Sequence, residues 1–211
     1  SIEGEERALV KVDGGVKLSY LAKFVARYGL AGIENLVGVP GSVGGSVAMN
    51  AGAEGAEISQ VLRSIKFMTL DGEVKTYSKN ELVFAYRKTT FPSKDGIVIE
   101  AELDLEKGET SAIYREMDKY LSRRGSTQPL TMPNSGSIFK NPDGEKAGRL
   151  IELAGLKGCR IGGASVSIKH ANFIVNKGGA LAEDVIRLIK HIQTVVEEKT
   201  SVKLEQEIIV I

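Results

Sequence analysis

Apolar and polar positions along the chain predict short strands and amphipathic helices in irregular alternation. ALVKVDGG (8–15) reads as a strand ending in a turn. Residues 17–29 follow a helical period, with Leu18, Leu21, Val25 and Tyr28 on one face and Gly29 placed to end the helix. VLRSIKFMTLDGEVKTYS (61–78) predicts a hairpin turning at Asp71-Gly72, and Ser78-Lys79-Asn80-Glu81 has the form of a capping box. In GIVIEAELDLEKG, Ile97, Ile99, Ala101, Leu103 and Leu105 alternate with more polar positions, as in a half-buried strand. Residues 109–124 predict a charged helix with Ile113, Met117, Tyr120 and Leu121 on one side. RRGSTQPLTMPNSGS then reads as an irregular domain connection. Beyond it come a helix near 146–154 stopped by Gly155, and strands near 164–169 and 172–176. A helix follows over 182–198 with Val185, Ile189, Ile192 and Val196 inward, and the final strand is KLEQEIIVI. The order lacks a regular βαβ rhythm, so the fold class is α+β.

Composition narrows the function classes. The 211 residues hold 28 Lys+Arg and 27 Asp+Glu, a net charge of +1. That balance argues against a nucleic-acid protein held mainly by phosphate contacts. No apolar run approaches the roughly 20 residues of a membrane span. SIEGEERALV lacks the basic start and apolar stretch of a signal peptide, so a cytoplasmic location is expected. One cysteine, Cys159, and two histidines, His170 and His191, exclude an internal disulfide and a Cys/His zinc site. No metal site is expected.

Glycine is the anomaly, at 24 of 211 residues, about 11% against a typical ~7%. Seven of these lie in the 24 residues of GIENLVGVPGSVGGSVAMNAGAEG (32–55), a density that predicts mostly shaped loop. Successive N–H groups with no side chains in the way suit an anion such as phosphate. Neither a Walker-type P-loop nor a G-x-G-x-x-G fingerprint is present, and a glycine-rich turn without ligand is the simpler reading. Three other segments set polar residues among apolar or glycine neighbours. Arg87, beside Tyr86 in LVFAYRKTTF, is by itself most simply a surface or packing arginine. Ser137 in NSGSIFKNP is by itself most simply a turn serine or an N-cap. Glu205 and Glu207 share one face of the final strand with Ile209 and Ile211, at a wet strand end or in a functional site.

Taken in order, GVPGSVGGSVAMNAGAEG, AYRKTTF, SGSIFKNP, AGRLIELAGLKGCRIGGASVSIKHANFIVN and LEQEI resemble the UDP-N-acetylenolpyruvoylglucosamine reductase family of flavoenzymes. The resemblance spans residues 38–208. It implies reduction of UDP-N-acetylglucosamine enolpyruvate to UDP-N-acetylmuramate in peptidoglycan precursor synthesis, with FAD as cofactor and NADPH as co-substrate. NADPH reduces the flavin, which passes hydride to the methylene carbon of the enolpyruvyl group, and the neighbouring carbon is then protonated. The alkene accepts hydride because its conjugated carboxylate spreads the charge into an enolate-like state, which the enzyme must stabilise.

The matching positions assign roles. Arg87 and Glu207 would hold and polarise the substrate carboxylate, Glu207 carrying or sharing a proton. Ser137 would be the proton donor. Asn141 and Lys140 would contact phosphate groups, and Tyr86 would line the pocket. FAD would lie against Gly38, Pro40, Gly41, Ser42, Gly44 and Gly45, with Asn50 and Gly52 nearby. His170, in the family pattern SIKHANFIVN, is open between an exposed turn residue and a substrate contact. Only 49 residues separate Arg87 from Ser137, matching the shorter, type II branch. Family members begin with a further α+β subdomain bearing a Gly-Ser-Asn strand-turn, and this sequence starts beyond the matching point. The expected organisation is therefore an FAD-binding subdomain over 1–105 without its N-terminal partner, a connecting helix and linker over 106–126, and a substrate domain over 127–211. The final strand of that domain would return Glu207 to the active site. A different two-subdomain FAD oxidase and a non-catalytic nucleotide-binding fragment are the alternatives.

Overall fold

A computed structural model describes residues 6–93 and 95–210, which form two compact units, Ser1–Ser122 and Arg123–Ile211. In chain order the first unit contains β1 (Arg7–Asp13), α1 (Leu18–Ala26), β2 (Leu30–Ala31), α2 (Val43–Ala48), β3 (Gly52–Ala53) and β4 (Ala56–Glu57). There follow β5 (Leu62–Thr69), β6 (Val74–Ser78), β7 (Val83–Ala85), β8 (Lys88–Thr90) and β9 (Gly96–Lys107), and α3 (Thr110–Thr127) carries the chain into the second unit. That unit contains β10 (Asn134–Ser137), α4 (Ala147–Leu153), β11 (Arg160–Ile161), β12 (Ala164–Val166), β13 (Phe173–Asn176) and α5 (Ala182–Thr200).

β9 organises the first unit. It pairs antiparallel with β1 on one side and β5 on the other, β6 extends the sheet beyond β5, and β2 joins the end of β9. Ala101, Leu103 and Leu105 are fully buried, as the alternation predicts, and burying each leucine contributes about 1.5–3 kcal/mol. At the start of the strand the phase reverses: Val98 is buried and Ile97 exposed. Lys66 pairs with Glu100 while Phe67 pairs with Val98, so one extra residue of β9 is inserted there. Such a bulge turns every earlier side chain to the opposite face.

The helices show where periodicity misleads. Leu18, Leu21 and Val25 of α1 are buried, but Tyr28 lies beyond the helix end and is exposed. Tyr28 instead meets Phe24 with the two rings tilted, and Phe24 stacks with Tyr20, on the outer surface. α3 buries Ile113 and Met117, and its last turn takes up Gly125–Thr127, which the sequence placed in the connection.

The glycine segment, expected to be mostly loop, contains α2. Ser42 caps this helix through its Oγ, which accepts the Gly45 N–H at 3.2 Å. A Cβ on Gly44 would stand 2.7 Å from Val98 O and 3.2 Å from Gly14 O. This glycine therefore lets α2 lie directly on the β1–β9 backbone, a gain in packing that outweighs its poor helix propensity.

In the second unit the antiparallel order is β10-β13-β12-β11; the sequence did not predict β11, and it placed β10 in the irregular connection. α5 covers the sheet with Leu188, Ile189, Ile192 and Val196, all buried, and α4 adds Leu150 and Ile151. KLEQEIIVI is not a strand. It runs beside Ile138–Lys140 with one bridge, Phe139 to Gln206. Its inward face also differs: Leu204 and Ile208 join the core, whereas Glu205 and Ile209 are exposed, Ile209 by 80%. Ile211 lies outside the described residues. No helix among the described residues is long and apolar enough to cross a membrane.

Candidate functional site

On the first unit, the cradle is narrower than the glycine count suggests. The N–H groups of Val43, Gly44 and Gly45 bond to Val16 O, Gly14 O and Ser42 Oγ. Those of Gly38, Gly41 and Ser42 meet no acceptor among the described residues. Gly41 holds φ +125 with open space where a side chain would stand, and Pro40, Gly41 and Gly45 are exposed. Three open backbone donors, at 38, 41 and 42, are thus available, with no side chain on Gly38 or Gly41 to cover them. Gly52 serves packing, since a Cβ there would meet Ala56 O at 2.7 Å.

Asn50 is fully buried at φ +41. Its Nδ2 donates to Glu57 Oε2 at 2.6 Å and to Ala85 O at 3.2 Å, while its Oδ1 has no partner. The open donor surface before α2 and the orphaned acceptor just past the end of that helix are features that a ligand with both phosphates and ring N–H groups, as FAD has, would satisfy.

Ala85 leads into the two-residue turn of the β7–β8 hairpin, where Ala85 pairs with Lys88 around Tyr86 and Arg87. Arg87 adopts φ +56, a left-handed conformation costing about 1–2 kcal/mol outside glycine. Its guanidinium carbon lies 4.9 Å from the Tyr86 ring centroid, the cation resting on the aromatic face. Tyr86 is itself exposed.

The second unit brings several assigned residues together. Glu207 N–H donates to Ile138 O at 2.8 Å and Lys140 N–H to Glu205 O at 2.9 Å, so the C-terminal segment pairs immediately after Ser137. Glu207 thereby stands within one pairing position of Ser137. The register of β10 shifts between Asn134 and Ser137, with Gly136 at φ +81 and its N–H on Asn134 Oδ1. Ser137 is partly exposed, and its hydroxyl has no protein partner among the described residues. Lys140 is ion-paired with Glu205, which gives it a structural task besides any ligand contact. Asn141 Oδ1 accepts the Ala147 N–H at 3.1 Å at the start of α4, which leaves its Nδ2 as the group available to a ligand.

Ser137 and Asn141 line a cavity of about 310 Å³ with Lys146, Arg149, Lys157, Lys169 and His170. Glu152, paired with Lys157 at 2.7 Å, is the one acid in the lining. Cations in this excess favour a phosphate-bearing ligand. His170 packs edge-on against Phe173, and its Nδ1 is buried without a partner. Burial, with Lys157 adding to it, holds the imidazole below its ordinary pKa.

Sequence reasoning missed Asn172, which is 4% exposed. Its Oδ1 accepts the Phe139 N–H at 3.0 Å and its Nδ2 donates to Phe139 O at 2.8 Å. With Ile138 N–H on Asn172 O at 2.9 Å, this residue fixes the backbone beside Ser137. The polar asparagine inside HANFIVN was the available signal. The converging lysines left none, since they come from separate elements.

Residues 128–211 match the family described as UDP-N-acetylenolpyruvoylglucosamine reductase, C-terminal domain, and residues 2–78 match an FAD binding domain. The UDP-N-acetylenolpyruvoylglucosamine reductase of Listeria innocua is 46% identical over 211 residues, covering 100% of this chain and 70% of that protein. The enzyme of the same name from Bacillus licheniformis is 46% identical over 211 residues, with 69% of its length covered. The crystal structure of UDP-N-acetylenolpyruvylglucosamine reductase (MurB) from Thermus caldophilus aligns with a TM-score of 0.84 at 40% identity, over 94% of this chain and 71% of that one. With both parts matched and relatives this similar along its whole length, the chain belongs to the UDP-N-acetylenolpyruvoylglucosamine reductase family.

Proposed function

We propose that the protein reduces UDP-N-acetylglucosamine enolpyruvate to UDP-N-acetylmuramate at the expense of NADPH, a cytoplasmic step of peptidoglycan precursor synthesis. The observation that carries this reading is the pairing of the C-terminal segment beside Ser137, which sets Glu207 and Ser137 together in a unit with a cationic cavity.

FAD bound to this chain would relay the electron pair from NADPH to the substrate alkene. The open N–H groups of Gly38, Gly41 and Ser42 would hold its phosphates, and Asn50 Oδ1 would accept from a ring N–H. On the first unit, Arg87 takes the enolpyruvyl carboxylate. Its guanidinium is always charged and can meet a carboxylate with two parallel hydrogen bonds, so it favours the enolate-like charge that develops there.

On the second unit, the Ser137 hydroxyl donates its proton to the carbon next to the carboxylate, and Glu207 polarises that carboxylate. The cavity lined by Lys146, Arg149, Lys157 and Lys169 takes the diphosphate, with Asn141 Nδ2 as a further donor. Asn172 keeps the Ser137 strand in register and touches no reacting atom.

The test is to follow NADPH absorbance in the flavin-loaded protein with and without UDP-N-acetylglucosamine enolpyruvate. Oxidation that depends on the enolpyruvyl compound is expected. Oxidation that depends on oxygen, with peroxide formed and no response to the compound, would overturn the reading in favour of a flavin oxidase.

A further inference from the structure

Three residues of the first unit hold left-handed backbone without being glycine, Asn50 at φ +41, Glu54 at φ +53 and Arg87 at φ +56, and the side chain of the first reaches the hairpin that carries the last. Asn50 lies late in the glycine segment, past the end of α2, and Arg87 sits at the tip of the β7–β8 hairpin, 37 positions later. The Nδ2 of Asn50 spans the gap, donating to Ala85 O at 3.2 Å, one residue before the turn begins. A second tether reaches the opposite strand, where Thr89 Oγ1 donates to Val47 O at the end of α2. The hairpin is thus fastened on both strands to the α2 region, immediately either side of the strained turn.

Glu57 completes the arrangement. Its Oε2 accepts the same Asn50 amide at 2.6 Å, and β4, which carries it, is pressed against β3 where Gly52 has no side chain. Asn50 is 0% exposed, so neither bond is shared with solvent. Satisfied bonds in such a buried place rigidify what they touch.

We propose that Asn50 is a positioning residue for Arg87: its amide, oriented by Glu57, pins Ala85 and so keeps the hairpin tip in the strained turn that aims the guanidinium at the substrate carboxylate. The proposal rests on the assignment of Arg87 to that carboxylate. It gives the glycine segment a second task, that of holding an anion-binding arginine at a fixed place relative to α2. It also explains why a costly backbone conformation persists at Arg87: a flanking structure tied at Ala85 and Thr89 over-determines it.

The experiment is a double-mutant cycle on the flavin-loaded protein, reading the dissociation constant of UDP-N-acetylglucosamine enolpyruvate by calorimetry. Asn50→Ala is expected to weaken binding about tenfold in the wild-type background and to have no further effect in Arg87→Ala. Equal losses in both backgrounds would mean that Asn50 acts through the flavin or through general stability, and would overturn the proposal. No loss from Arg87→Ala itself would instead overturn the carboxylate assignment, and the positioning role with it. Should Asn50→Ala fail to fold, Thr89→Val cuts the other tether and is judged by the same cycle. A Thr89→Val loss that depends on Arg87 supports the proposal, and one independent of Arg87 overturns it.

Discussion

Gly44 and Gly45 are neighbours in one short helix, yet alanine at each should act differently. In a helix interior, glycine to alanine gains about 0.8–1.0 kcal/mol of propensity. At Gly44 the new methyl would lie 2.7 Å from Val98 O and 3.2 Å from Gly14 O, both backbone atoms of the sheet that cannot rotate away. Gly14 offers no relief, because a Cβ there would itself meet Val98 O at 2.1 Å. Overpacking of this kind costs about 3 kcal/mol at the upper end of its range, leaving Gly44→Ala a net loss of about 2 kcal/mol. For a chain of this length that lowers Tm by about 4–8 °C. At Gly45 the methyl meets only Ser42 Oγ, at 3.3 Å, and the position is exposed. Gly45→Ala should keep Tm within about 2 °C of wild type and bind FAD more weakly, because the methyl stands on the surface assigned to the cofactor. Thermal unfolding without added FAD separates stability from ligand linkage, and flavin titration then reads the second effect. A Gly44→Ala protein as stable as wild type would refute the packing argument, as would an equal loss in Gly45→Ala.

Two further outcomes follow from the second unit. Glu207→Gln takes away the carboxyl group assigned to polarising the substrate carboxylate, so the enolate-like charge is less well stabilised and stopped-flow reoxidation of reduced flavin by the enolpyruvyl substrate should slow by about 100-fold; reoxidation at the wild-type rate would remove Glu207 from the site. His170 is held below its ordinary pKa by burial and by Lys157, so the unfolded chain takes up a proton more readily than the fold. The stability this confers is present above about pH 6.5 and is lost as pH falls below it, so Tm scans from pH 8 to 5 should fall less steeply for His170→Gln than for wild type. Parallel curves would show that His170 does not contribute.

How far the sequence carries can be seen in single residues. The hairpin turn at Gly72, the capping box at Ser78 and Glu81, and the face of α5 formed by Ile189, Ile192 and Val196 are local signals, and the structure contains them. Ile97 fails because the bulge that reverses its face belongs to the β5–β9 pairing, which no local pattern records. α2 was hidden because the close approach that favours Gly44 comes from Val98 and Gly14, distant in sequence. The C-terminal segment alternates like a strand, yet it has only Ile138–Lys140 to pair with and forms a single bridge. The site was legible as motifs: Arg87, Ser137 and Glu207 stood out as polar residues in unusual company. The supporting roles of Asn172 beside Ser137 and of Asn50 beneath the Arg87 turn act through contacts between distant segments, and those roles became visible only in the fold.

The division of labour in the proposed reaction is tested most directly by stopped-flow absorbance of flavin-loaded Ser137→Ala, mixed first with NADPH and then with UDP-N-acetylglucosamine enolpyruvate. If Ser137 donates the final proton, bleaching of the flavin by NADPH proceeds at the wild-type rate, and recovery of colour on adding the enolpyruvyl compound slows by about 100-fold or more. Recovery at the wild-type rate, or equal slowing of both phases, would contradict the account.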